Sequence, residues 1–188
     1  FRGEAADKKT KLMTSAFAVG LLGSALDANV NIINATSVAR SRGIKLTETA
    51  SGNVENFSSM ISIKVTTDQG SFEAAGTIFG KQFLRLVRIG QFCMEAFLDG
   101  HLLIYRHRDV PGLIGNIGTI FGKHNVNIAS MALGRRTEQP GGDSVAVLNV
   151  DSQPSAEALA EVQAHPEVSG GDLVELPPAG AGLPWMGN

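Results

Sequence analysis

The chain has 188 residues, 43% of them hydrophobic and 18% charged, with a net charge of −2 and a pI near 6.1. That composition belongs to an ordinary globular protein with room for one large core or two modest ones. It argues against a nucleic-acid binder, which would carry a basic patch or a high pI; the one cysteine excludes a disulfide framework or a paired-cysteine zinc site, and the longest apolar stretch, residues 17–26, is too short to cross a bilayer.

In chain order, residues 1–5 read as the end of a strand. Residues 7–26 follow a helical pattern, with Leu12, Phe17, Leu21, Leu22 and Ala25 on one face. A short strand is expected at 29–33 and a short helix at 36–41, stopped by Gly43. The period then changes. Ile61, Ile63 and Val65 alternate with polar residues, which predicts a half-buried strand, and turns at 68–70, 80–82 and 90–91 divide an antiparallel meander running to residue 97. Cys93 lies among Phe92, Met94 and Phe97, a setting that predicts a buried thiol, and its solitary state fits a reducing cytoplasm. The opening FRGEAADKK has no signal-peptide pattern, and a first residue other than Met suggests a piece of a longer chain.

From residue 101 the order is strand (101–107), helix (111–123), strand (126–133), polar loop, strand (144–150), helix (154–164), strand (168–176). This is β-α-β-β-α-β, the ferredoxin-like plan, with both helices on one face of an antiparallel sheet. The other face and an edge strand are expected to be exposed, and an exposed edge invites pairing with a second copy. The fold class is therefore α+β, divided into 1–99, 100–176 and a Pro/Gly-rich tail, 177–188, expected to be disordered.

The strongest candidate site is the loop HRDVPGLIG, residues 107–115. It joins a strand to a helix N-terminus, where free N–H groups favour an anion such as an amino-acid carboxylate. Pro111 suits a first helical turn, and Asp109 stands close to an N-cap position. Asp109 also suits an ammonium group, while Gly112 and Gly115 would let a ligand approach the backbone. The plain alternative is a capped helix with packing glycines. Asn127 offers both a donor and an acceptor, or serves only as a turn residue. Gly112, Gly115, Gly118 and Gly122 do not make a dinucleotide fingerprint. The four histidines have no metal-ligand spacing. Glu157 and Glu161 share a helix face that reads as solvated. The groups Lys8, Lys9 and Lys11, Arg106 and Arg108, and Arg135 and Arg136 likewise read as solvated surface.

The run HRDVPGLIGNIGTIFGKHNVNIASMALGRR, followed by GGDSVAVLNVD, resembles the ACT domain that ends long-form D-3-phosphoglycerate dehydrogenases. Upstream, VNIINATSVARSRGIKLTET, ISIKVTTDQGSFEAAGTIFGK and the DGHLLIYRHRDVPG junction resemble that family's intervening domain, which also occurs in bacterial L-serine dehydratases. The resemblance implies an intervening α/β domain with an antiparallel sheet, then an ACT domain. It implies a parent enzyme that oxidises 3-phosphoglycerate with NAD and is inhibited by L-serine, or another small amino acid, bound between two ACT domains. His107, Asp109 and Asn127 match the effector contacts, completed by the backbone near Gly112, Leu113 and Ile114. Some relatives also line an anion site in the intervening domain with basic residues; Arg85 matches one place, but Cys93 and Phe97 stand where further cations are expected.

The resemblance implies no catalytic residue, cofactor or metal within these 188 residues. Implied partners are a small amino acid and further copies of the chain, a dimer through the ACT sheet and a tetramer in the parent, with no nucleic acid or membrane. A competing reading is a purely structural assembly module. A place in an iron–sulfur L-serine dehydratase needs cluster cysteines that Cys93 alone does not supply. An effector domain of a transcription regulator lacks a helix-turn-helix or basic footprint.

Overall fold

The computed structural model describes residues 1–23, 30–54, 56–80 and 83–177. The chain divides into two compact units, Phe1–Ile61 and Ser62–Ala181. In the first, strand β1 (Arg2–Gly3) leads through a 3-10 turn (Glu4–Asp7) to helices α1 (Thr10–Gly23) and α2 (Ala35–Ser41). β1 pairs antiparallel with the start of β2 (Ser59–Thr67), Arg2 opposite Met60 and Gly3 opposite Ser59. Gly3 has φ 60°, and a Cβ there would lie 2.1 Å from the Ser58 carbonyl oxygen, so only glycine fits. α1 buries Ala18 and Leu22, and α2 buries Ala35 and Ala39. Both pairs are four apart and so share a face, and the alanines let two short helices meet closely.

Residues 30–34 do not form the expected strand. Asn31 Oδ1 accepts the N–H groups of Ile33 (3.0 Å) and Asn34 (3.2 Å), and Asn34 Oδ1 accepts that of Asn31 (2.8 Å). These side-chain bonds wind the segment into a turn in place of a sheet ladder. Asn29 and residues 24–26, the expected end of α1, lie outside the described residues. So do residues 178–188, which hold almost all of the tail.

β2 continues into the second unit, followed by β3 (Gly70–Phe79), β4 (Phe83–Ile89) and β5 (Phe92–Phe97), in sheet order β1-β2-β3-β4-β5. Cys93 is exposed, contrary to the sequence expectation. The two-residue period of β5 turns Phe92, Met94 and Ala96 inward and leaves Cys93, Glu95 and Phe97 outside.

β6 (His101–Arg108), α3 (Leu113–Lys123), β7 (Ile128–Arg135), β8 (Asp143–Val150), α4 (Ala156–Gln163) and β9 (Val168–Glu175) complete an α+β fold. Their sheet has the order β7-β8-β6-β9, and every neighbouring pair is antiparallel. Leu103, Tyr105, Ala146 and Leu148 face the helices, packing with Leu113, Ile117, Phe121 and Val162. The opposite face, expected to be open, is covered. Leu102, Ile104, Ala132, Val147 and Val174 pack against Leu86, Ile89, Met94 and Ala96 of β4 and β5. β8 is consequently buried at every residue from Ser144 to Val150, which explains why its sequence is an unbroken run rather than an alternation. Gly134 marks the tightest approach, where a Cβ would lie 2.8 Å from Met94 Cε and 2.9 Å from the Cys93 carbonyl oxygen.

Candidate functional site

β6 runs between β8 and β9 and delivers alternate side chains beneath the helix layer. Tyr105 and His107, at 1% and 4% exposure, are the last two on that face, with ring centroids 5.4 Å apart. His107 Nδ1 lies 2.8 Å from the Arg108 carbonyl oxygen, which fixes the ring. His107 Nε2 and the Tyr105 hydroxyl are both buried without a hydrogen-bond partner. Burial pushes the Tyr105 pKa up to about 12, because the phenolate would lose its hydration.

Beyond β6 the chain turns at Asp109. Its N–H donates to the Gly142 carbonyl (2.9 Å), and its own carbonyl accepts the Gly141 N–H (3.0 Å), so the backbone is tied to the β7–β8 loop. The Asp109 carboxylate caps no helix. Its Oδ2 lies 2.7 Å from Arg135 Nε in an ion pair, though without an aligned hydrogen bond. The Arg135 side chain is 51% exposed, so the pair is worth at most about 1 kcal/mol and could yield to a competing ammonium.

α3 starts at Leu113, two residues later than Pro111 suggested. Its N-cap is Gly112, with φ 88° and no side-chain bond to the first turn. Asn116 N–H donates to the Gly112 carbonyl at 3.0 Å. The N–H groups of Leu113, Ile114 and Gly115 precede that first intrahelical bond, and together they form the electropositive end of the helix. The Leu113 side chain is 1% exposed and belongs to the core; it offers the site only its backbone.

The structure brings His107, Asp109, Gly112, Leu113 and Ile114 together in one strand-to-helix turn. Asn127 is elsewhere. It immediately precedes β7, where Ile128 stands opposite Val150, the residue that also faces His101 at the start of β6. His107 faces Ser144 at the other end of β8. Six strand positions separate the two levels, about 20 Å at the usual rise. The exposed Asn127 amide donates to Asp151 Oδ2 at 2.7 Å. Arg85, on β4, is also apart. Its guanidinium lies 3.7 Å from the Phe97 ring centroid, Nη1 donates to the Leu84 carbonyl (2.9 Å), and Nε is 3.7 Å from Glu95.

Two residues escaped the sequence reading. Arg135, one of a basic pair that reads as solvated surface, holds Asp109. Tyr105 shares the two-residue period of His107 on β6, a signal present in the sequence. Glu161 is already engaged by Lys123 Nζ and His124 Nε2, both at 2.9 Å; chiefly the His124 bond, then that of Lys123, holds its carboxyl below the ordinary range. Among the described residues no group of three or more His, Cys, Asp or Glu is placed to hold a metal ion, and no helix is long and apolar enough to cross a membrane.

Comparison with known proteins fits both halves of this architecture. Residues 1–90 match the D-3-phosphoglycerate dehydrogenase intervening domain, and residues 101–167 match the ACT domain. Residues 1–90 thus belong to the D-3-phosphoglycerate dehydrogenase intervening-domain family and residues 101–167 to the ACT domain family. It is 35% identical to the D-3-phosphoglycerate dehydrogenase of Archaeoglobus fulgidus over 93% of this chain and 33% of the relative. The enzyme of Bacillus subtilis is 32% identical and that of Methanocaldococcus jannaschii 31%, each over 94% of this chain and 33% of the relative. The chain thus spans about a third of the length of these curated relatives.

Proposed function

We propose that this chain is the effector-sensing and assembly region of a D-3-phosphoglycerate dehydrogenase, and that its ACT domain binds a small amino acid, L-serine in the first instance. The carboxylate would rest on the uncapped N-terminus of α3, within reach of the buried His107, and the amine beside Asp109. The separation of His107 from Asn127 along the sheet carries the reading: one copy supplies only part of the contact set, and a second copy supplies Asn127. β7, an edge strand exposing Met131 (41%) and Leu133 (46%), supports self-association there. Ligand bridging two copies would regulate turnover only by binding one domain arrangement more tightly than another. Oxidation of 3-phosphoglycerate with NAD belongs to the remainder of such an enzyme, and a tetrameric parent is part of the same reading.

Calorimetry with L-serine tests this. The chain is expected to bind, and Asp109→Ala and Asn127→Ala to bind at least tenfold more weakly. Mixing the two variants is expected to restore binding, since a mixed dimer holds one intact pocket. A folded dimer indifferent to serine would leave the assembly role alone. That second reading is favoured by the ion pair that already occupies Asp109 and the hydrogen bond that already occupies Asn127.

A further inference from the structure

We propose a second ligand site, on the face of the ACT sheet turned away from its helices: a cleft between that sheet and the β3–β5 layer that takes a small zwitterion with an aromatic body. The two layers close up at β7, where Gly134 meets Met94 and the Cys93 carbonyl, and part toward β9, the opposite edge of the sheet. Twisted sheets pack with their strands rotated by about 30°, so close contact at one corner opens another. Phe72 shows the opening. The two-residue period of β3 puts it on the face of Ala74, which packs against the ACT sheet, yet Phe72 is 54% exposed. The cleft holds a cavity of about 360 Å³, at the small end of the range for ligand sites. Phe72, Ile89 and Phe92 wall it on one layer, and Ile104, Val145 and Val174 on the other.

Two charges on the rim select the ligand. Arg106 and Asp172 both border the cavity. Arg106 stands opposite Gly170 and Ile104 opposite Asp172, so the two are diagonal neighbours on one sheet face, with Cα atoms about 7–8 Å apart. Long side chains meet across that spacing. Among the described residues these two do not: neither has an ion-pair partner, whereas Arg85, Arg108, Arg135 and Arg136 each have a carboxylate within 4 Å. The third charge on the rim, Glu73, is held by Lys64 at 2.8 Å. The cavity therefore presents one unpaired cation and one unpaired anion beside apolar walls. A zwitterion answers both, with its carboxylate on the Arg106 fork and its ammonium at Asp172. A lone carboxylate or a lone amine leaves one of them unmatched. Phe72 and Phe92 offer ring faces and edges to an aromatic body. His107 points to the other face of the sheet, so the proposal is independent of amino-acid binding at residues 107–115.

Calorimetry on the 188-residue chain tests the cleft with L-phenylalanine, with N-acetyl-L-phenylalanine, which lacks the ammonium, and with L-phenylalanine amide, which lacks the carboxylate. L-phenylalanine is expected to bind saturably, and each blocked form at least tenfold more weakly. Arg106→Met and Asp172→Asn are expected to weaken binding at least tenfold. Glu175→Gln, an exposed neighbour on β9 that does not line the cavity, keeps it. Asp109→Ala also keeps it, which separates this cleft from the strand-to-helix turn. Circular dichroism and melting check that each variant folds. A dissociation constant weaker than about 1 mM, or an equal loss in Glu175→Gln, would overturn the site. Loss in Asp109→Ala with Arg106→Met unaffected would move the ligand to the turn and overturn it equally. A blocked form binding as tightly as the free amino acid would overturn the charge assignment.

Discussion

Tyr105 is the chain's single tyrosine, almost fully buried, with a hydroxyl that has no partner. An unsatisfied buried hydroxyl costs about 1–3 kcal/mol. Tyr105→Phe is therefore expected to match or exceed the wild type in urea unfolding, by up to about 1–2 kcal/mol. A loss above 1 kcal/mol would mean that the hydroxyl is bonded. The same burial sets a pH dependence. The folded-state pKa, about 12, exceeds the ordinary 10, so the unfolded chain loses the phenolic proton first. Stability from this group is complete below pH 10 and falls as pH rises through about 12, by at most about 1.4 kcal/mol per unit. With one tyrosine, phenolate absorbance reads this residue alone, and onset near pH 10 in the folded chain would contradict it.

At the scale of elements, the two helices over the ACT sheet begin differently. Ser155 Oγ accepts the Ala158 N–H at 3.2 Å and closes the first turn of α4, whereas Gly112 leaves that of α3 open. Gly112→Ala is expected to cost about 1–2 kcal/mol, since φ of 88° is strained for any L side chain although no atom crowds the new Cβ. Gly115→Ala, inside the same helix and equally uncrowded, is expected to stabilise by about 0.5–1 kcal/mol. Opposite signs at two glycines less than one helical turn apart separate backbone strain from helix propensity, and thermal melting of both variants reads them. β2 to β9 and α2 to α4 were legible in the sequence, because their apolar residues recur at strand or helix period. Less legible was anything decided by side-chain bonds to the backbone, such as the turn at 30–34, or by a positive φ, such as the late start of α3. Within the candidate site, the turn residues 107–114 are contiguous and were readable together. The pairing of Asp109 with Arg135 depends on the return of β7, which local pattern does not encode.

For the molecule as a whole, periodicity identifies an apolar face but does not say what covers it. On β6, Leu102 and Ile104 alternate with Leu103 and Tyr105, so both faces are apolar and the strand needs a layer on each side. The helices provide one and the β4–β5 hairpin the other. Leu102 and Val147 are at 1% and 0% exposure in the second layer. Full burial of one such side chain contributes about 1.5–3 kcal/mol, so losing that layer would remove much of a domain's 5–15 kcal/mol. Two shortened chains test this. Residues 62–177 keep both layers and are expected to unfold cooperatively without binding an apolar dye. Residues 100–177 keep the whole βαββαβ unit but uncover Leu102, Ile104, Ala132, Val147 and Val174, and are expected to bind dye, self-associate or melt lower. Equal melting temperatures and equally low dye binding for the two would mean that the ACT sheet is stable with its second face bare, and that the hairpin contributes position rather than stability.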